Sequence, residues 1–339
     1  MDNIIERTRL NDQKLSSANL SYEKNLTIGN MKLFSSGLMS NTTIKTLYIC
    51  GIDFDTNVVK IFSDALKVNS TIQSLALCEN CFGLYPEEME HLADALKVNT
   101  TIRELDLSEN GFGECQDCPS VGFLSEIIKH NTSIRTLRLC NNKLGKHSEN
   151  MGVIMDSLKV NTTIKKLTLN QNLFMMHNLN FEFLSEFIKH NKTIRNLECN
   201  YNMYGEYFNE LELLFGALKV NTSIKTLRLC GNSFGKNPTE SIKFISEYLK
   251  NNRKLQVLFL DDNCFRDTHG TCVIWPILVA LKFNDTIKEI YIAFGNHIDR
   301  KSLNFLHANL KRNRRNHFLK SLSLFGLLLS VPDLLYAQE

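Results

Sequence analysis

Proline is scarce in this chain, with five in 339 residues. No Pro- or Gly-rich stretch divides it, so the sequence offers no evident linker between domains. Long apolar runs are missing as well. The nearest candidate, Phe318 to Val331, is interrupted by Lys320, Ser321, Ser323 and Gly326, which excludes a run of about 18 apolar residues able to cross a bilayer. The opening residues, Met1-Asp2-Asn3-Ile4-Ile5-Glu6-Arg7, lack an apolar core, so no secretory leader is expected. Ten cysteines without a leader are expected to remain reduced thiols, and a cytoplasmic location follows as an expectation. An excess of one charge is also absent. With 39 basic and 36 acidic residues the net charge is +3, so only local charge patterns carry information.

Catalytic signatures are lacking too. The chain has no G-x-x-x-x-G-K-[ST] loop, no G-x-S-x-G elbow and no H-E-x-x-H helix, and its nine histidines are scattered. No enzyme activity, cofactor or metal is expected. Two C-x-x-C pairs, Cys78-Glu79-Asn80-Cys81 and Cys115-Gln116-Asp117-Cys118, have zinc-like spacing. Yet Cys50, Cys78, Cys140 and Cys230 share one position in a repeat, which leaves only Cys81, Cys115 and Cys118 as metal candidates.

What is present is repetition. Asn41-Thr42-Thr43-Ile44-Lys45-Thr46-Leu47 returns as Asn161-Thr162-Thr163-Ile164-Lys165-Lys166-Leu167 and as Asn221-Thr222-Ser223-Ile224-Lys225-Thr226-Leu227. Anchoring asparagines fall at 41, 69, 99, 131, 161, 191, 221, 252, 284 and 316, spaced 28 to 32 residues apart. They match glycosylation acceptors, but their periodicity marks a structural motif. After each comes I-x-x-L-x-L-x-x-N-x-F, as in Ile102, Leu105, Leu107, Asn110 and Phe112. L-x-L reads as a short strand with alternate side chains inward, which buries its apolar face only by stacking on the next repeat. Asn80, Asn110, Asn142, Asn172, Asn202, Asn232 and Asn263 are expected to bond neighbouring turns as a ladder, with Phe82, Phe112, Phe174, Phe234 and Phe265 plugging the core. The second half of each repeat has helical spacing and ends in Leu-Lys-Val-Asn or Ile-Lys-His-Asn; the Asn is expected in the left-handed position that stops a helix.

These residues resemble the leucine-rich repeat, and the helix-bearing period near 30 is similar to the ribonuclease-inhibitor-like subfamily. The resemblance implies an α/β solenoid, a horseshoe with a parallel β-sheet on the concave face and α-helices on the convex face. Residues 1–40 are expected to form an N-terminal cap, 41–315 the repeats, and 316–339 the last strand and C-terminal cap. The run Lys311-Arg312-Asn313-Arg314-Arg315 is expected to be a solvated helix end.

Side chains between the leucines should face out from the sheet. Among them Glu104 and Asp106 form an acidic patch, Arg138 and Arg228 alternate with Glu198, and Phe259 and Tyr291 make an aromatic end. Arginines and aromatics on a rigid surface dominate binding energy. The preceding column, Lys45, Arg103, Arg135, Lys165, Arg195, Lys225, Lys288 and Lys320, is basic. The resemblance implies a protein–protein interaction scaffold that holds a protein partner on the concave face. It is expected to be a monomer that binds neither nucleic acid nor membrane. The asparagine-rich, proline-poor repeats resemble stand-alone bacterial effector-type solenoids, which would act in the host cell cytosol. The alternative is a leucine-rich-repeat GTPase-activating protein acting on a small GTPase.

Overall fold

A computed structural model describes residues 2–23, 27–52, 54–206, 208–266, 271–296 and 298–324. Ten three-residue strands form a single parallel sheet in sequence order: β1 (Ser17–Asn19), β2 (Thr46–Tyr48), β3 (Ser74–Ala76), β4 (Glu104–Asp106), β5 (Thr136–Arg138), β6 (Lys166–Thr168), β7 (Asn196–Glu198), β8 (Thr226–Arg228), β9 (Val257–Phe259) and β10 (Glu289–Tyr291). The central residue of each strand is laterally paired with that of the next, Leu47 with Leu75 and Leu75 with Leu105, so one apolar column runs through the core. α1 (Asp2–Arg9) precedes the sheet, and a helix follows every strand, from α2 (Ile28–Ser40) and α3 (Thr56–Val68) through α4 (Pro86–Val98), α5 (Pro119–His130), α6 (Ser148–Val160), α7 (Asn178–His190), α8 (Phe208–Val220) and α9 (Pro238–Asn251) to α10 (Trp275–Phe283) and, after β10, α11 (Arg300–Leu324). This is the α/β leucine-rich-repeat solenoid that the period implies. Strands stack about 4.8 Å apart while helices need about 8–10 Å, so the sheet lines the inside of the curve.

Polar backbone groups in stacked turns must be satisfied inside the stack. The strand-exit asparagines do this. Asn142 Oδ1 accepts the Asn110 N–H at 2.8 Å, and its Nδ2 donates to the Leu107 carbonyl at 2.9 Å and the Cys140 carbonyl at 3.3 Å. Asn80, Asn110, Asn172, Asn202, Asn232 and Asn263 likewise reach back one repeat. The ladder continues to Asn296, which the sequence pattern missed because this turn holds one more residue after its strand. The plugging phenylalanines are all fully buried.

The helix-end asparagines depart from expectation. Asn69, Asn99, Asn131 and their equivalents are extended, with φ near −70° and ψ near 130°, not left-handed. Each stops its helix through its side chain instead. Asn131 Oδ1 accepts the N–H groups of Ser133 and Ile134 at 2.8 Å, while Nδ2 donates to Leu96 and Asn99 carbonyls of the previous repeat at 2.7 and 3.1 Å. The "helix stop" is therefore a second ladder, which satisfies the orphan carbonyls at the previous helix end. The left-handed residues lie elsewhere, flanking the strand-exit asparagines, as Asn141 and Lys143 do.

Both ends also differ from the expected layout. The N-terminal cap contributes a strand, β1, whose Leu15, Ala18 and Leu20 occupy the I-x-x-L-x-L positions and are buried. At the other end no strand follows β10 among the described residues. α11 (Arg300–Leu324) runs through the positions where one was expected, because this stretch contains neither Gly nor Pro to end a helix. Residues 325–339, the remainder of the expected cap, lie outside the described residues. The basic run is not simply solvated. Arg312 donates to carbonyls of Leu281, Lys282 and Asn284, Asn313 to Asn284 and Ile287, and Arg314 to Lys288, all within 3.2 Å. Asn313 thus continues the helix-end ladder.

After Phe82, Phe112 and Phe234 close stacking also requires glycine. Gly235 donates its N–H to the Asn263 carbonyl at 2.8 Å, and a Cβ there would meet the Cys264 carbonyl oxygen at 1.8 Å. Gly216, in α8, faces open space. Gly235→Ala is expected to lower stability by about 2–3 kcal/mol through overpacking. Gly216→Ala is expected to raise it by about 0.5–1 kcal/mol through lost unfolded-state entropy. Denaturant titration of both variants checks this, and an unchanged Gly235→Ala would contradict the stacking account.

Candidate functional site

The open sheet face carries the seven residues singled out by the pattern, and the structure sorts them into two groups. Glu104 on β4 and Arg138 on β5 pair diagonally at 3.5 Å, with Asp106 beside Arg138 in register. The second group is a continuous stack. Glu198 on β7 is only 16% exposed and receives Lys166 at 2.9 Å and Arg228 at 3.7 Å. The Arg228 guanidinium lies 3.5 Å from the centroid of Phe259, and Phe259 stacks on Tyr291 at 4.2 Å with 4° between the rings. Tyr291 donates its hydroxyl to Glu289 at 2.8 Å, which holds the phenol above its usual pKa. Strand register produces the stack, because Glu198, Arg228, Phe259 and Tyr291 are lateral neighbours on β7 to β10. Between the groups Thr168 is buried, so the face is interrupted at β6.

A groove of about 740 Å³ opens where this stack meets α11. Its lining includes Ile290, Ile292, Leu306 and Leu310, with Tyr291 and Phe294 at the β10 side. Phe294 is 73% exposed. The sequence reading missed this groove, since it depends on α11 replacing a strand. Its signal was the apolar Ala293-Phe294 step, where other repeats carry Cys-Gly, Cys-Glu, Ser-Glu, Cys-Asn, Asn-Gln, Asn-Tyr or Asp-Asp. Burial raises the pKa of Asp261 in the groove wall, and its Oδ1 accepts the Phe294 N–H at 3.0 Å.

That bond is one rung of a third ladder, and it explains the recurring cysteines. In most repeats the residue after L-x-L accepts the backbone N–H of its counterpart in the next repeat: Ser21 from Cys50, Cys50 from Cys78, Ser108 from Cys140, and Asn200 from Cys230, while the Ser108 N–H turns instead to Asp106 Oδ1 at 3.0 Å. The Cys140 and Cys230 thiols accept from Asn170 and Asp261 in the same way. Bonding from the Cys78 thiol holds the Cys50 thiol below its usual pKa. Of the three remaining metal candidates, Cys81 and Cys115 are exposed, whereas Cys118 is buried with its thiol donating to the Gly83 carbonyl at 2.8 Å. Among the described residues no three His, Cys, Asp or Glu side chains converge on a metal-sized site. No helix there is long and apolar enough to cross a membrane.

No family model and no curated protein matches the chain. Among solved structures it is similar to leiomodin-1 actin-binding site 2, at 20% identity and a TM-score of 0.31 over 55% of this chain and 88% of that one. It is also similar to the tropomodulin C-terminal domain of Caenorhabditis elegans, at 12% identity and a TM-score of 0.22 over 80% of this chain and 99% of that one.

All ten cysteines are free thiols. Under native conditions a thiol reagent is expected to label the exposed Cys81, Cys115 and Cys264 first. Cys118 and Cys199 should resist, Cys199 because burial raises its pKa to about 12. Peptide mapping after brief labelling checks the order, and early modification of Cys199 would contradict the packing.

Proposed function

We propose that this chain is a protein-interaction scaffold, not an enzyme, and that it holds a protein partner on the concave sheet face. The observation that carries the reading is the Arg228–Phe259–Tyr291 stack beside an open apolar groove. Arginine and aromatic side chains bury large area at little entropic cost, and a groove next to them gives a partner's apolar anchor a place to enter. Glu198 and the stack pre-order Arg228, so binding spends little on fixing its rotamer. Ten strands span about 43 Å, more than a standard interface of about 800 Å² per partner requires. Glu104, Asp106 and Arg138 form a polar outer part of the same face. A ribonuclease-inhibitor-like repeat type, supported by the full helices, belongs to this proposal, as do a monomeric state and a cytoplasmic location. The effector and GTPase-activating readings are narrower forms of it, distinguished by host-cell partner capture and by a GTP-hydrolysis assay.

The test is affinity capture with the intact chain, followed by binding measurements on the purified partner. Arg228→Glu and Tyr291→Ala are each expected to weaken the complex about 30-fold, the equivalent of about 2 kcal/mol. Unchanged affinity in both, with loss on substituting the exposed convex residue Lys243, would move the site to the helices.

A further inference from the structure

The chain as a whole is nearly neutral, but its charge is segregated. The nine five-residue turns that lead into β2 to β10 (41–45, 69–73, 99–103, 131–135, 161–165, 191–195, 221–225, 252–256 and 284–288) hold ten of the 39 basic residues and one of the 36 acidic residues, Asp285. This rim therefore carries +9 and the remainder of the chain −6. The turns lie side by side because the strands they feed are paired in sequence order.

Helix C-termini point at this rim, and neutralising their dipoles would account for some cations. It does not account for all of them. Arg103, Arg135 and Arg195 do donate to turn carbonyls. A separate set of helix-end lysines, Lys67, Lys97, Lys129, Lys159 and Lys189, already sits at the helix ends, each paired with a carboxylate three residues earlier. Lys45, Lys165, Lys225 and Lys254 are exposed, and no hydrogen bond or ion pair engages their side chains among the described residues. None of the ten rim cations forms an ion pair among those residues.

From this segregation we infer that the strand-entry rim is a docking surface for an extended acidic segment of a protein partner. Charge complementarity selects that occupant. Eight strand-to-strand steps of about 4.8 Å give a track of about 38 Å, which about 11 extended residues at about 3.4 Å each would follow. Apart from the buried Ile or Leu of each turn, the residues between the cations are Asn, Thr, Ser, Gln and Asp285, so the exposed track is polar and its turns offer no aromatic platform for stacking bases, which favours carboxylates over a nucleic acid strand. The surface is separate from the Arg228–Phe259–Tyr291 stack, so either proposal can fail alone.

The test uses the full chain and a fluorescent decaglutamate peptide, read by anisotropy at low and physiological salt, with an oligothymidylate of equal charge in parallel. The rim variant combines Lys45→Gln, Lys165→Gln, Lys225→Gln and Lys254→Gln. The control combines Lys32→Gln, Lys60→Gln, Lys243→Gln and Lys301→Gln, exposed helix residues that give the same change in net charge. The expected result is peptide binding that weakens with salt, falls about tenfold or more in the rim variant, and changes less than about twofold in the control. Absence of peptide binding at low salt, equal weakening in both variants, or tighter binding of the oligothymidylate would each overturn the proposal.

Discussion

Everything in this molecule depends on bonding the backbone of one turn to the next. Each repeat contributes a three-residue strand, too short to be stable alone, and two irregular turns full of polar backbone. Burying those turns without partners would cost about 1–3 kcal/mol per group. Asparagine resolves this because one side chain offers an acceptor and two donors. One asparagine column works at the strand exit from Asn80 onward and another at the helix end, so from there both turns of a repeat are tied to the repeat before. The ladder also supports the left-handed residues beside it, several of them neither Gly nor Asn, such as Leu173 and Met203. Each such residue costs about 1–2 kcal/mol.

A backbone fixed this tightly makes its surfaces predictable. Side chains at equivalent positions stand one strand apart, so chemistry repeats along columns. One column becomes a rung system that uses Ser, Cys, Asn or Asp interchangeably as acceptors. Another aligns Glu198, Arg228, Phe259 and Tyr291 into a stack, and a third gathers cations on the strand-entry rim. The open edge of β10 would invite further strand pairing. α11 blunts it by supplying Arg314 to the Lys288 carbonyl, which a next strand would have engaged, and Asn313 to the turn carbonyls of Asn284 and Ile287.

Most of this was legible in the sequence, because a period of 28 to 32 residues with L-x-L inside it has few structural solutions. The core leucines, the plugging phenylalanines, the strand-exit ladder and the neighbours on the sheet face all follow from period and register. The failures have physical causes. β1 lacks a preceding anchor asparagine and puts Ala18 where leucine is usual. Asn296 is displaced by a one-residue insertion. The conformation of the helix-end asparagines was misread because asparagine tolerates the left-handed region, whereas here its side chain does the capping from an extended backbone. The glycines after Phe82, Phe112 and Phe234 are plain in the sequence, but their role appears only when the next turn's carbonyl is seen against them. The groove beside Tyr291 required knowing that α11 stays helical through Leu324.

The central claim, that inter-repeat asparagine bonds hold the solenoid, is most directly tested by amide hydrogen exchange resolved to single residues. The N–H groups of Asn80, Asn110, Asn142, Asn172, Asn202 and Asn232 lie outside the strands and point at the amide oxygen of the next repeat's ladder asparagine. The account predicts that they exchange as slowly as the strand amides Leu75, Leu105, Leu137 and Leu167, through opening of the stack. Exchange at exposed-loop rates while the strand amides remain protected would contradict it.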